Sequence, residues 1–128
     1  MQTTLHDPTT GVYAAGADYA HAIELAAPSR LVFVAGTMGL DADSVAGRTL
    51  DEQLDLVWAN VRTILASAGM TLDHVVRVTS YLRDARDAEA NTAARVAALR
   101  GRRVPTTAVV VETLDPSWRV EIEVVAAA

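Results

Sequence analysis

The sequence predicts an α+β fold in which two helices cover one face of a mixed β-sheet. Three observations carry that expectation. Short β-branched, apolar runs recur at residues 31–35, 75–82, 109–111 and 118–125, as strands require. Between them lie two stretches with helical spacing, each closed by a glycine. The order strands, helix, strand, helix, strands segregates the helices to one side of the sheet.

The elements follow in chain order. Leu31-Val32-Phe33-Val34-Ala35 is apolar throughout, the pattern of a strand buried on both faces, and Gly36 is expected to stop it. Residues 19–25 are expected to pair with that strand across a turn at Ala27-Pro28-Ser29. The residues before them, His6 included, show no period and read as a mobile start. Thr49 is the predicted N-cap of the first helix, with Asp51 and Glu52 in the first turn, where the helix dipole favours anions. Leu54, Val57, Trp58, Val61, Ile64, Leu65 and Ala68 then form one apolar face, ended by Gly69. Residues 75–82 make a strand and residues 87–100 an alanine-rich helix closed by Gly101. Pro105 precedes the strand at residues 109–111. Asp115-Pro116-Ser117 turns into the last strand, residues 118–125.

A chain of 128 residues reads as a single domain, 1–128. Hydrophobic residues make up 51% of it but aromatics only 5%, so the core is built from Val, Leu, Ile and Ala. One sheet face is covered by the helices. The strands near Val32, Val76, Val110 and Val124 are too apolar for the other face to meet water, so oligomerisation is expected.

Composition also excludes chemistries. There is no cysteine, which removes disulfides, thiolate metal sites and a Cys nucleophile, and fits a cytoplasmic location. All 11 basic residues are arginine, so Schiff-base and P-loop lysines are absent. The net charge of −5 argues against a nucleic-acid partner. No signal peptide or membrane span is read, and no membrane partner is expected. His6, His21 and His74 form no ligand cluster, so no metal is expected, and no cofactor motif is found. The serines lack the context of a nucleophile elbow.

Several segments, in order over nearly the whole chain, resemble the RidA/YjgF family. Asp18-Tyr19-Ala20-His21-Ala22-Ile23 is similar to its Pro-Tyr-Ser-Gln-Ala-Ile segment. Residues 31–41, LVFVAGTMGLD, resemble its Leu-Val-Phe-Thr-Ser-Gly-Gln-Ile-Pro-Leu-Asp strand and turn. Glu52-Gln53, Asn60-Val61, Ala68-Gly69, residues 73–84 and Val120-Glu121-Ile122-Glu123 fit as well. The resemblance implies a chorismate-mutase-like fold, a homotrimer, and small-molecule clefts between neighbouring subunits.

It also implies hydrolysis of reactive enamines and imines, with an arginine gripping the substrate carboxylate. A planar fork of donors suits a carboxylate better than any other side chain. Here the segment reads Pro105-Thr106-Thr107-Ala108, with Thr107 at the arginine position, and Ala35 stands where the family has serine. A plain 2-imino acid held by its carboxylate is therefore not the expected substrate. Glu121 matches the glutamate that positions water, and a carboxylate partly buried at an interface suits acid/base work. Tyr19 and His21 complete the expected catalytic set, the imidazole being able to exchange protons near neutral pH. Thr106, Thr107, Ala35, Gly36, Thr37 and Trp118 are the expected ligand-binding residues. Arg83, Arg86, Arg102, Arg103 and Arg119 are the candidates to restore carboxylate binding from elsewhere.

Two functions follow as expectations. One is an enzyme acting on a small reactive nitrogenous or carbonyl metabolite. The other is a non-catalytic trimer that binds a small molecule or docks a partner.

Overall fold

The computed structural model describes all residues, 1–128. The strands are β1 (Gln2–His6), β2 (Ala22–Ala26), β3 (Leu31–Met38), β4 (Val75–Leu82), β5 (Thr106–Val110) and β6 (Val120–Ala127). The helices are α1 (Leu50–Ser67) and α2 (Ala88–Ala98). No helix is long and apolar enough to cross a membrane.

The main sheet has four strands in the order β3-β6-β4-β5, antiparallel except for the β4–β5 pair. That is the mixed sheet expected, with both helices on one face. α1 begins where its chemistry dictates. The Thr49 hydroxyl accepts from the Glu52 amide at 3.1 Å, and Gly69 leaves the helix at φ +70°. Val57, Val61 and Leu65 then bury completely against Val78, Val120, Ile122 and Val124 of the sheet.

Several expectations need correction. Residues 22–26 pair with β1 rather than with β3, forming a separate two-stranded sheet. The start of the chain is thus an ordered strand. It is exposed along its whole length and held by backbone pairing, so no hydrophobic period marks it. Gly36 does not end β3; the strand continues through a bulge between Val34 and Thr37. β5 starts at Thr106, earlier than expected, and β6 starts at Val120, which leaves Trp118 in the preceding loop.

The last concerns the uncovered face. Val76 and Val124 are buried within the subunit, and the open face is not uniformly apolar. Phe33, at 74% exposure, and Leu31 form an apolar flank on edge strand β3. The registers place Arg77, Thr79 and Tyr81 of β4 on the open face opposite Val125, Glu123 and Glu121 of β6. Thr107 and Val109 of β5 lie beside Thr79 and Tyr81. A polar strip therefore runs across the middle of the face.

Candidate functional site

Strand alternation explains how β6 delivers its carboxylates. In Val120-Glu121-Ile122-Glu123-Val124 the apolar residues enter the core, so both glutamates must project from the open face. Glu121 lies over Gly36 of the adjacent strand. A Cβ at Gly36 would stand 2.2 Å from Glu121 Oε1 and 3.2 Å from its Cγ. The glycine that reads as a strand terminator is instead the space in which this carboxylate sits.

Glu121, Glu123, Tyr81, Gly36, Glu112 and Thr113 line a cavity of about 240 Å³. The Tyr81 hydroxyl donates to Glu123 Oε1 at 3.1 Å, and this bond raises the phenol above its usual range. Glu123 is thereby engaged. Glu121 accepts no hydrogen bond from the chain, which leaves it the free carboxylate of the pair. The loop bordering the cavity is held by Arg83, whose Nη1 donates to the Thr113 carbonyl and hydroxyl at 3.0 and 2.8 Å.

The other end of the face is built differently. The Asp7 carboxylate accepts from the His21 backbone amide at 2.7 Å and from Arg103 Nη2 at 2.5 Å. The His21 amide first, and Arg103 beside it, hold the Asp7 carboxyl below its usual 3.8. Arg103 also donates to the Tyr19 carbonyl, and Ala20 bridges to Pro105 at the start of β5. These contacts bring Tyr19 and His21 to the Arg77 end of the sheet. The His21 ring packs edge-on to Tyr13 and Tyr19, with centroids 5.1 and 6.1 Å away. Its Nδ1 is 3.9 Å from Asp7 Oδ1, too far for a hydrogen bond, and neither ring nitrogen has a partner.

Within one chain, then, Tyr19 and His21 do not meet Glu121. Arg77 and Tyr81 mark the two ends and are four residues apart on β4, about 13 Å at strand rise. Thr107 does lie on the open face, where its hydroxyl accepts from Arg77 Nη2 at 3.3 Å. Thr106 does not. It pairs with buried Val78, and its hydroxyl donates to the Val104 carbonyl at 3.1 Å. Ala35, Gly36 and Thr37 line a groove of about 500 Å³ between β3 and α1, with Asn60 and Ile64 opposite. Gly36 alone of the three also borders the Glu121 cavity. Trp118 does not line that cavity, and the loop carrying it is tied to α1 through Gln53, which binds the backbone of Ser117 and Arg119.

Of the arginines proposed to replace the family anchor, none is free. Arg83 holds its loop, Arg86 pairs with Asp84, and Arg102 donates to the Leu72 and Val75 carbonyls. Arg103 and Arg119 pair with Asp7 and Asp87. Arg77, which the sequence reading did not single out, also stands on the open face. The alternation Arg77-Val78-Thr79-Ser80-Tyr81 gave a signal, since it places three polar residues on one strand face.

A family model described as Endoribonuclease L-PSP matches residues 10–128. The chain belongs to that family. Its solved structures agree with the fold. A Rid-family protein of unknown function, YyfB from Yersinia pestis, is 27% identical over 100% of both chains, with a TM-score of 0.85. RidA from an Antarctic Psychrobacter is 26% identical, covering 95% of this chain and 98% of its own, with a TM-score of 0.73. A RutC family protein of Pyrococcus abyssi is 35% identical over 71 residues, 54% of each chain. The aligned stretch thus spans about half the length of that curated relative. Membership in the RidA/YjgF group, expected from the ordered segments, thus holds over residues 10–128.

Proposed function

We propose that this Rid-family chain is the subunit of a cytoplasmic homotrimer that hydrolyses a small reactive imine, enamine or related carbonyl compound. The observation that carries the reading is the free Glu121 carboxylate, lodged over Gly36 on a sheet face that no helix covers. An intersubunit cleft on that face would exclude water from the carboxylate and bring further side chains to it. It would also cover Phe33 and Leu31, which a lone subunit leaves in water.

In this reading Glu121 takes a proton from water as the water oxygen bonds to the C=N carbon. The nitrogen is protonated, the C–N bond breaks, and a carbonyl compound and ammonia leave. An enamine first takes a proton at carbon to reach the same imine. A ribonuclease reading is disfavoured by Glu112, Glu121 and Glu123 around the cavity, which repel phosphates, and by the net charge of −5. The second reading is a binding trimer without turnover. It is favoured by Ala35 and Thr107, which stand where the resemblance expects serine and arginine.

Ammonia release from 2-aminoacrylate and a panel of unsaturated amines separates the two. Wild type is expected to accelerate release for at least one compound. Glu121→Gln should lose about 10²- to 10⁴-fold, the usual share of a general acid/base. Light scattering on the same samples should read three chains. No activity on any compound, with ligand binding unaltered in Glu121→Gln, sinks the enzymatic reading.

A further inference from the structure

The helix side of the subunit, away from the open sheet face, carries a groove of its own. It runs between α1 and α2 as two adjoining cavities, of about 410 and 320 Å³, which share Arg62, Ala97 and Ala98. Its α1 edge follows Asp55, Trp58, Arg62 and Ala66, whose spacing of three and four residues sets them on one side of the helix. At helical rise that edge is about 16 Å long, or roughly three turns. The α2 wall is Ala94, Ala97 and Ala98, side chains too short to fill the space between the helices.

The polar side chains of the α1 edge find no partner in the chain. Arg62 is exposed. Alone among the 11 arginines, its side chain makes neither a hydrogen bond nor an ion pair. Asp55 is exposed too, and it borders the same cavity as Arg62 without pairing with it. Trp58, between them, is 4% exposed, and its indole Nε1 donates to nothing. A buried indole N–H ordinarily has an acceptor, and the chain gives this one none. The edge therefore offers an unspent cation and an unspent anion two helical turns apart, with an unspent donor between them.

We propose that this groove docks an amphipathic helix of a partner protein, with one acidic and one basic residue about two turns apart on a small, apolar seam. The acid pairs with Arg62 and offers its second oxygen to the Trp58 indole, and the base pairs with Asp55. The alanines of α2 let the incoming backbone approach closely. Trp and Arg are also the side chains that most often dominate interface energies. An anionic lipid surface fits less well, because Asp55 and Asp73 border the groove and the net charge is −5. No groove residue lines the Glu121 cavity, so the proposal stands apart from the hydrolase reading.

The chain has two tryptophans, so its proton–nitrogen NMR spectrum holds two indole signals, which Trp118→Phe assigns. The probe is a stapled helical peptide of about four turns with an Ala/Leu seam and a Glu and a Lys two turns apart. Wild type is expected to bind it at least roughly tenfold tighter than the Glu/Glu and Lys/Lys versions, with saturation below about 1 mM. The Trp58 signal should move on binding while the Trp118 signal stays. Arg62→Glu should transfer the preference to the Lys/Lys peptide. Ala97→Phe, which fills the groove from an exposed position, should abolish binding. Both variants should keep the wild-type melting temperature, since neither position is buried. Four results overturn the docking site: no Trp58 shift with any peptide up to about 1 mM, equal affinity for all three, an unchanged preference in Arg62→Glu, or the same Trp58 shift from free glutamate.

Discussion

The two faces of the main sheet are written on the same strands and obey opposite rules. On the helix side, Val120, Ile122 and Val124 of β6 meet Val78 and Leu82 of β4, and all are buried within the subunit. On the open side the intervening residues are Glu121, Glu123, Tyr81, Thr79 and Arg77. Residues one position apart therefore serve separate ends: one set excludes water to hold the fold, the other keeps charge accessible. A strand with period two lets a site change its chemistry without disturbing the core beneath it. Thr107 lies on the open face of β5, where a change of side chain leaves the core untouched. The same division makes the two sets separable by mutation.

The largest effect is expected on the covered face. Ile122→Ala would open a cavity under α1 and should cost about 2–5 kcal/mol in denaturant unfolding, the range for large-to-small core changes. A loss below about 1 kcal/mol would mean that the helix layer does not pack on β6 as described.

Gly36→Ala sharpens the contrast from the other side. The added methyl meets the far end of the flexible Glu121 side chain, so the fold should yield cheaply, within about 1 kcal/mol. The carboxylate itself must move. Displacing a reacting group by about 1 Å can cost on the order of 100-fold in rate, and that loss in turnover is expected here. In a Glu121→Gln background the same alanine should add little, because both changes remove one function. Full loss of stability in Gly36→Ala with unaltered turnover would reverse the assignment of the two faces.

These distinctions were only partly legible in the sequence. α1 was readable because its signals are local: a Thr49 cap, apolar residues at helical spacing and a Gly69 stop all lie within one stretch. β1 was not readable, because its five residues are all exposed and their partner, Ala22–Ala26, is distant in sequence. Gly36 was misread for a related reason. Its meaning depends on Glu121, 85 residues later, rather than on its neighbours. Thr106 and Thr107 are indistinguishable by composition, and only the register of β5 on β4 sends one inward and the other outward. Arg77 was passed over because its contact with Thr107 depends on that same register. Glu121 was singled out by the family resemblance alone, and the alternation of β6 explains its place on the open face.

The smallest effect tests which carboxylate on the open face is free. The hydrogen bond to Glu123 is the first cause of the raised Tyr81 titration, followed by the loss of hydration and by the charges of Glu123 and Glu121. A folded-state pKa above the usual 10.0 means that the folded chain holds this proton more tightly than the unfolded chain does. Its contribution to stability is then present below pH 10 and is lost as the pH rises through the folded value. In a phenolate absorbance titration, one of the three tyrosines should ionise late, and Tyr81→Phe should remove that step. Glu123→Gln should bring it back toward 10.0, since the amide keeps an acceptor but loses the charge. Glu121→Gln should move it less, because Glu121 acts on Tyr81 only through space. If Glu121→Gln moves the step more than Glu123→Gln does, Tyr81 is bound to Glu121 instead, and the free carboxylate over the sheet is Glu123.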